Sequence, residues 1–347
     1  MAPEKGKKRT KSIREFFVYM GPALMVSIAY MDPGNYGTDL QAGASFKFGL
    51  VWAVWLASGM AMLLQYLSGK LGIASGRSLA ELLKQSLNRR AFIIPYWLCA
   101  EAAAAATDLA EYLGTVIALN LLFNVPLLYA AIFGAFDVLI IMTMMTRRFR
   151  VIEQFFMFFT SVLVFGFLYQ LLVIKPSLGQ VAYHSVFIDS SLGCTNFGCG
   201  YLLVVGIIGA TVMPHALFVH SWLTKNKMDS GRRKLAAKEA GTAPGHIVSS
   251  ASAEMRQRTR RLHLWETVIF LTIAAVVNVG ILLVCTSLDP NTSTISRAVS
   301  QLDSIFAPIV GTVFVLTLLA SGLIASTLGT ISGQVIMEDM VGKHWNI

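Results

Sequence analysis

Hydrophobic positions along this chain fall in long runs separated by short polar connections. The runs cover roughly 16–43, 49–73, 93–123, 126–145, 151–174, 198–223, 264–286 and 305–342. Crossing the hydrocarbon core of a bilayer takes about 20 consecutive apolar residues in a helix. Each run is therefore predicted to be a membrane-spanning helix. A soluble bundle would need a polar stripe along each helix, and the runs carry little of one. An outer-membrane barrel would show alternating segments of about 10 residues, which are absent.

Composition agrees with that pattern. Of 347 residues, 55% are hydrophobic and only 14% charged, where a soluble domain carries roughly a quarter charged residues. The mean hydropathy is +0.63. The N-terminal segment 1–14 is a polar, basic tail, and 15–343 reads as a single transmembrane domain because no Pro- or Gly-rich linker divides it. The first run carries no small-residue cleavage site before its polar centre, so it reads as a retained span rather than a signal peptide.

The formal net charge of +9 is explained by topology. The tail, the 74–92 connection (Arg77, Lys84, Arg89, Arg90), the 146–150 turn (Arg147, Arg148, Arg150) and the 224–263 loop are basic. The alternate connections hold only Lys47, Lys175 and Arg297. Positive charge marks the cytoplasmic side. The expectation is a cell-membrane protein with a cytoplasmic N-terminus, and no nucleic-acid partner is needed. The segment Gly231–Ala253 reads as a long, extended and flexible loop, able to meet anionic headgroups of the bilayer. Of the four cysteines, Cys99 and Cys285 lie in apolar runs. Cys194 and Cys199 share a polar loop placed outside, where a disulfide can form.

Two runs are interrupted at their middles. The first contains Asp32-Pro33-Gly34-Asn35 and the sixth Ala210-Thr211-Val212-Met213-Pro214-His215. Proline removes a backbone donor and clashes with the preceding turn. Asp32 is an ionisable group at mid-membrane depth, which is costly and marks function. Unwound backbone frees carbonyl oxygens, tolerated only where protein or a watery cavity covers them. Two such breaks facing each other would form a cation site near the midplane. The donors on offer are the Asp32 carboxylate, the Asn35 amide, the Ala210 carbonyl and the Met213 thioether. Calcium and magnesium prefer all-oxygen shells, whereas a sulfur donor favours softer transition ions. The plain alternatives are a proline kink, a packing methionine and an Asp-Pro-Gly-Asn turn. Against them stands the occurrence of both interruptions in corresponding positions, each with a potential ligand.

Glu101, Asp108 and Glu111, spaced by seven and three residues, share one face of the third run. Three acids on one face of an alanine-rich membrane helix read either as a proton relay lining a wet path or as structural ion pairs. His215 beside the sixth-run break reads either as a pH-sensitive gate or as a satisfied interior group.

Taken together, these segments resemble the Nramp family of proton-coupled divalent metal ion transporters. Asp32-Pro33-Gly34-Asn35 with Thr38-Asp39 is similar to the family's first-span signature. Ala210 to His215, with His220-Ser221, is similar to its sixth-span signature. Gln65 to Gly72, Thr107-Asp108-Leu109-Ala110-Glu111, and Gly329 to Gln334 with Met337-Glu338 resemble its second-, third- and eighth-span motifs. The resemblance implies an all-α, LeuT-like inverted-repeat fold with discontinuous first and sixth helices, built from two five-helix repeats. It also implies metal contacts at Asp32, Asn35, Ala210 and Met213. Proton handling would involve Asp32 and Asp108, with Glu111, Glu101 and His215 nearby. Here the first repeat covers about 15–174 and the second, about 198–343, supplies three spans. The expectation is an incomplete second repeat, as in a fragment, or a chain whose missing helices come from a second chain. Family members carry ninth-span arginines that can pair with the third-span acids.

The functional expectation is a secondary active transporter importing manganese- or iron-class ions with protons by alternating access. The metal is cargo, and no cofactor is expected. A magnesium or calcium carrier is opposed by Met213. A non-transporting fragment or subunit is the reading of a different class. A membrane-embedded hydrolase lacks support, since no His-Glu-x-x-His or Gly-x-Ser-x-Gly motif occurs.

Overall fold

The computed structural model describes residues 21–87, 89–136, 149–188, 193–195, 198–239, 246–306 and 308–342. The predicted basic tail 1–14 lies outside the described residues. The described residues are helical almost throughout. Helix α1 (Pro22–Ala29) and helix α2 (Pro33–Phe46) share the first predicted span, and α3 (Val51–Ser75) forms the second. A short α4 (Leu79–Leu87) leads to α5 (Arg90–Phe123). Helix α6 (Leu127–Phe136) opens the fourth predicted span. Helix α7 (Phe149–Ile174) and helix α8 (Leu178–Val186) precede a pair of two-residue strands, β1 (Cys194–Thr195) and β2 (Gly198–Cys199). The sixth span divides into α9 (Gly200–Thr211) and α10 (Pro214–Glu239). After these come α11 (His246–Cys285), α12 (Ile295–Ile305) and α13 (Pro308–Val341).

Among the described residues, six helical segments are long and apolar enough to cross a membrane. They enclose one principal core. Met25, Tyr30, Met31 and Tyr36 of the first span meet Met213 and Val219 of the sixth, Leu271 and Ile281 of α11, and Phe314 and Leu328 of α13. Tyr36 sits edge-on to Phe314 at 5.4 Å between ring centroids and tilted against Phe167 at 5.8 Å. Helices α5 and α13 form the most extensive pairing in the molecule. Large apolar side chains such as Leu128, Phe133, Phe165 and Leu172 point outward, which is an aggregation liability in water but the natural surface toward lipid.

The structure departs from the expected loop between the sixth and seventh spans. Helix α10 runs on to Glu239 and α11 already begins at His246, so most of Gly231–Ala253 is helical. The residues explain it. Arg232, Arg233, Lys234, Leu235, Ala236, Ala237, Lys238 and Glu239 are strong helix formers, and a span already wound extends through them with no new nucleation step. In the β1–β2 pair, Cys194 and Cys199 are register partners. Cys199 is disulfide-bonded, whereas Cys99 and Cys285 are free thiols.

Candidate functional site

The two prolines dictate where helix hydrogen bonding stops. In an α-helix the carbonyl of residue i accepts from the N–H of residue i+4. Pro33 has no N–H to give Ala29, and Pro214 has none to give Ala210. The chain tightens before each break. Tyr30 N–H donates to Ser27 O at 3.2 Å and Met31 N–H to Ile28 O at 3.0 Å, while Met213 N–H donates to Thr211 O at 3.2 Å. Ala29 thus becomes a second freed-carbonyl position, one that was not singled out among the expected donors although Pro33 is the signal for it.

Asp32 caps α2. Its carboxylate accepts from Gly34 N–H at 3.0 Å and from Asn35 N–H at 3.2 Å. The Asn35 amide nitrogen donates to Asp32 Oδ1 at 2.6 Å and to Tyr30 O at 3.0 Å. Asn35 Oδ1 then accepts from the Thr211 hydroxyl at 3.0 Å. Thr211 is the last residue of α9, so this bond joins the two interrupted spans at their breaks. Asp32 Oδ2 takes a single hydrogen bond within this set and keeps lone-pair capacity. Ala210 lies beside the same turn, its Cβ 3.9 Å from where a Cβ on Gly34 would stand. Met213 is buried in the core that also holds Tyr30 and Met31.

Other helices hold the unwound segment. Asn278 of α11 donates to Tyr30 O at 2.7 Å, and the Ser321 hydroxyl of α13 donates to Met31 O. Neither residue was among the sequence candidates, although each is a polar side chain within a long apolar run, which is the available signal. Glu266 of α11 is another. Its Oε1 accepts from Gly21 N–H at 2.7 Å and from Ala23 N–H at 3.2 Å, capping the N-terminus of α1 with a carboxylate, where the helix dipole favours negative charge.

The acids of α5 face α13. Gly329 gives them room, since a Cβ there would stand 2.9 Å from Glu111 Oε2 and 3.1 Å from Asp108 Oδ1. Gly333 stands in the same relation to Glu101 Oε2, at 3.2 Å. Glu101 accepts from the Trp97 indole N–H at 3.0 Å, and Asp108 bonds the Thr330 side chain. Glu111 is fully buried, with neither carboxylate oxygen hydrogen-bonded, and it lies within electrostatic reach of both Asp108 and Asp32. Pro33 packs directly on Gly114 of the same helix, so the acid face adjoins the first break. Among the described residues no lysine or arginine pairs with these acids.

His215, in the first turn of α10, is buried with both ring nitrogens unbonded. Asp39, one helical face along from Asp32, is likewise fully buried with both oxygens unbonded. Among the described residues no group of three His, Cys, Asp or Glu side chains forms a metal cluster. The arrangement at the breaks is a mixed one, with a single carboxylate among amide, carbonyl and thioether donors.

Broken spans joined at mid-core and held by polar residues from neighbouring helices define a multi-pass α-helical membrane protein of the LeuT-like, inverted-repeat kind. The chain belongs to the Nramp family: residues 23–347 match the family described as natural resistance-associated macrophage protein-like. Among its relatives, the divalent metal cation transporter MntH of Mesorhizobium japonicum is 37% identical over 337 residues, covering 94% of this chain and 68% of that protein. The protein of the same name from Deinococcus radiodurans is 32% identical, covering 98% of this chain and 73% of its own length. A crystal structure of the Eremococcus coleocola manganese transporter superposes with a TM-score of 0.78 at 30% identity, over 96% of this chain and 67% of that one.

Proposed function

We propose that this chain carries divalent transition-metal ions of the manganese and iron class across a cell membrane, coupled to protons, by alternating access. The observation that carries the reading is the Thr211–Asn35 hydrogen bond. It brings two proline-freed stretches of backbone together around one buried carboxylate, which is the geometry that can strip water from a doubly charged ion. The proposed ligands are Asp32, Asn35, the Ala210 carbonyl and Met213, with Ala29 O as a further freed carbonyl on α1. The relatives' names, divalent metal cation transporter and manganese transporter, point the same way.

The proton path proposed is Asp32, Glu111, Asp108 and Glu101, read along one face of α5 toward α13, with His215 at the second break. Glu111 supports it: neither of its buried carboxylate oxygens is hydrogen-bonded, and it lies within electrostatic reach of both Asp32 and Asp108, so it offers a free acceptor between them. The alternation of basic connections supports a cytoplasmic N-terminus. A second reading, a subunit that completes its path with helices from another chain, is favoured by the incomplete cover of Glu101 and Asp108, which remain partly exposed.

Calorimetry on the purified chain tests the first reading. The wild type takes up manganese, and Asp32→Ala removes that binding. Retention of wild-type affinity in Asp32→Ala overturns the assignment. Manganese flux into liposomes holding this chain alone separates the two readings, because a subunit that needs a partner gives none.

A further inference from the structure

A second set of donors lies apart from the breaks, where α3, α10 and α11 meet. His220 of α10 and His263 of α11 are both fully buried. Their ring centroids are 5.0 Å apart, with the planes crossed at 72°. Gly69 of α3 makes this possible. A Cβ at Gly69 would stand 3.2 Å from His220 Nε2 and directly against His263 Nε2 and Cε1. The two Nε2 atoms therefore converge on one point above the glycine from different helices.

Hydrogen bonding settles which nitrogens carry protons. The Gln65 amide nitrogen donates to the Tyr30 hydroxyl at 2.7 Å, so Gln65 presents its oxygen to His220 Nδ1 at 2.8 Å. Nδ1 must donate that bond, which leaves a lone pair on His220 Nε2. That atom is buried and has no hydrogen-bond partner. His263 Nε2 faces the Tyr66 carbonyl at 3.2 Å, and its Nδ1 faces the Thr267 hydroxyl at 3.4 Å. Tyr66 also stacks on the His263 ring, with centroids 5.7 Å apart.

We propose that His220 Nε2, His263 Nε2 and the Tyr66 carbonyl form a second transition-metal site, taking zinc-class ions that favour imidazole. Binding is balanced within the protein. The proton on His263 Nε2 moves to Nδ1, where the Thr267 hydroxyl turns to accept it. Both Nε2 lone pairs then go to the metal, and a water fills the open position. Imidazole donors suit zinc, copper, iron and nickel, whereas hard ions seek carboxylates and carbonyls. Zinc–imidazole bonds are about 2.0–2.1 Å, so binding requires both rings to turn their Nε2 atoms toward the point above Gly69. An ion here would staple α10, the half-helix beyond the second break, to α3 and α11.

The site is tested by zinc calorimetry on the full chain carrying Asp32→Ala, so that binding at the breaks is removed. One equivalent of zinc is expected, and cobalt in its place should give the intense visible band of a four-coordinate ion. Adding His263→Gln should abolish both signals. Gly69→Ala, which places a methyl group at the convergence point while keeping both histidines, should do the same. X-ray absorption of the zinc-loaded Asp32→Ala protein should report two imidazole ligands, a readout that needs no histidine variant. Zinc uptake that survives His263→Gln, absence of the single equivalent, or fewer than two imidazoles would each overturn the proposal. In the otherwise native chain His263→Gln should lower zinc stoichiometry by one and leave manganese uptake intact. Failure of this site is thereby distinguishable from failure of the Asp32 reading.

Discussion

At the scale of single residues, the Tyr30 and Met31 carbonyls just before the first break are held by side-chain amide and hydroxyl donors. Tyr30 O takes two amide donors, from Asn35 and Asn278. One intramolecular hydrogen bond contributes about 0.5–1.5 kcal/mol net, and Tyr30 O keeps the Asn35 donor when Asn278 is removed. Asn278→Ala is expected to lower stability by that order, seen as a reduced midpoint in thermal unfolding of the detergent-purified protein, with the Asp32 ligands unchanged in identity. Met213 packs in the same core as Tyr30, and its proposed role as a ligand rests on its chemistry. A thioether is a poor partner for calcium and a fair one for manganese. Met213→Ala is expected to narrow the preference for manganese over calcium in competition flux. An unchanged preference would show that the sulfur does not select.

At the scale of elements, the eight-residue α1 is held at both ends by other helices. Its N-terminus is capped by Glu266 of α11 and the backbone just beyond its C-terminus by Asn278 and Ser321. So short a helix has little stability of its own, so these tethers set how readily it opens. Losing an N-cap costs on the order of 0.5–2 kcal/mol. Glu266→Ala is therefore expected to speed hydrogen exchange in α1 by about five- to tenfold, leaving α13 slow. Helices α5 and α13 pose the opposite case, a tight seam that admits three acids only because glycines face them. Gly329→Leu is expected to force the helices apart and to abolish proton-coupled uptake, measured as loss of internal acidification in manganese-driven liposomes. Intact acidification would remove the seam from the proton path.

At the scale of the whole molecule, the distribution of charge predicts which ends of the helices face the cytoplasm. A cysteine placed in the 74–92 connection should resist a membrane-impermeant maleimide on intact cells, and one placed near Leu178–Val186 should react. The reverse pattern would invert the topology. The Cys194–Cys199 backbone pairing and the oxidised Cys199 fit an outer location, since disulfides persist in oxidising compartments.

The sequence by itself determined the membrane class and the position of both breaks. Those properties depend on near neighbours: apolar length, the 3.6-residue period that aligns Glu101, Asp108 and Glu111, and the N–H that proline lacks. Within Gly231–Ala253 the segments 231–239 and 246–253 are helical rather than loop, because lysine, arginine and alanine propagate a helix once one is under way. Only the tertiary structure decided that Asn35 meets Thr211, that Asn278 and Ser321 quiet the freed carbonyls, that α13 covers the acids, and that His263 comes to lie across from His220. Partners separated by many tens of residues are chosen by how whole helices pack, and glycines such as Gly69 and Gly329 reveal their purpose only once the surface opposite them is known.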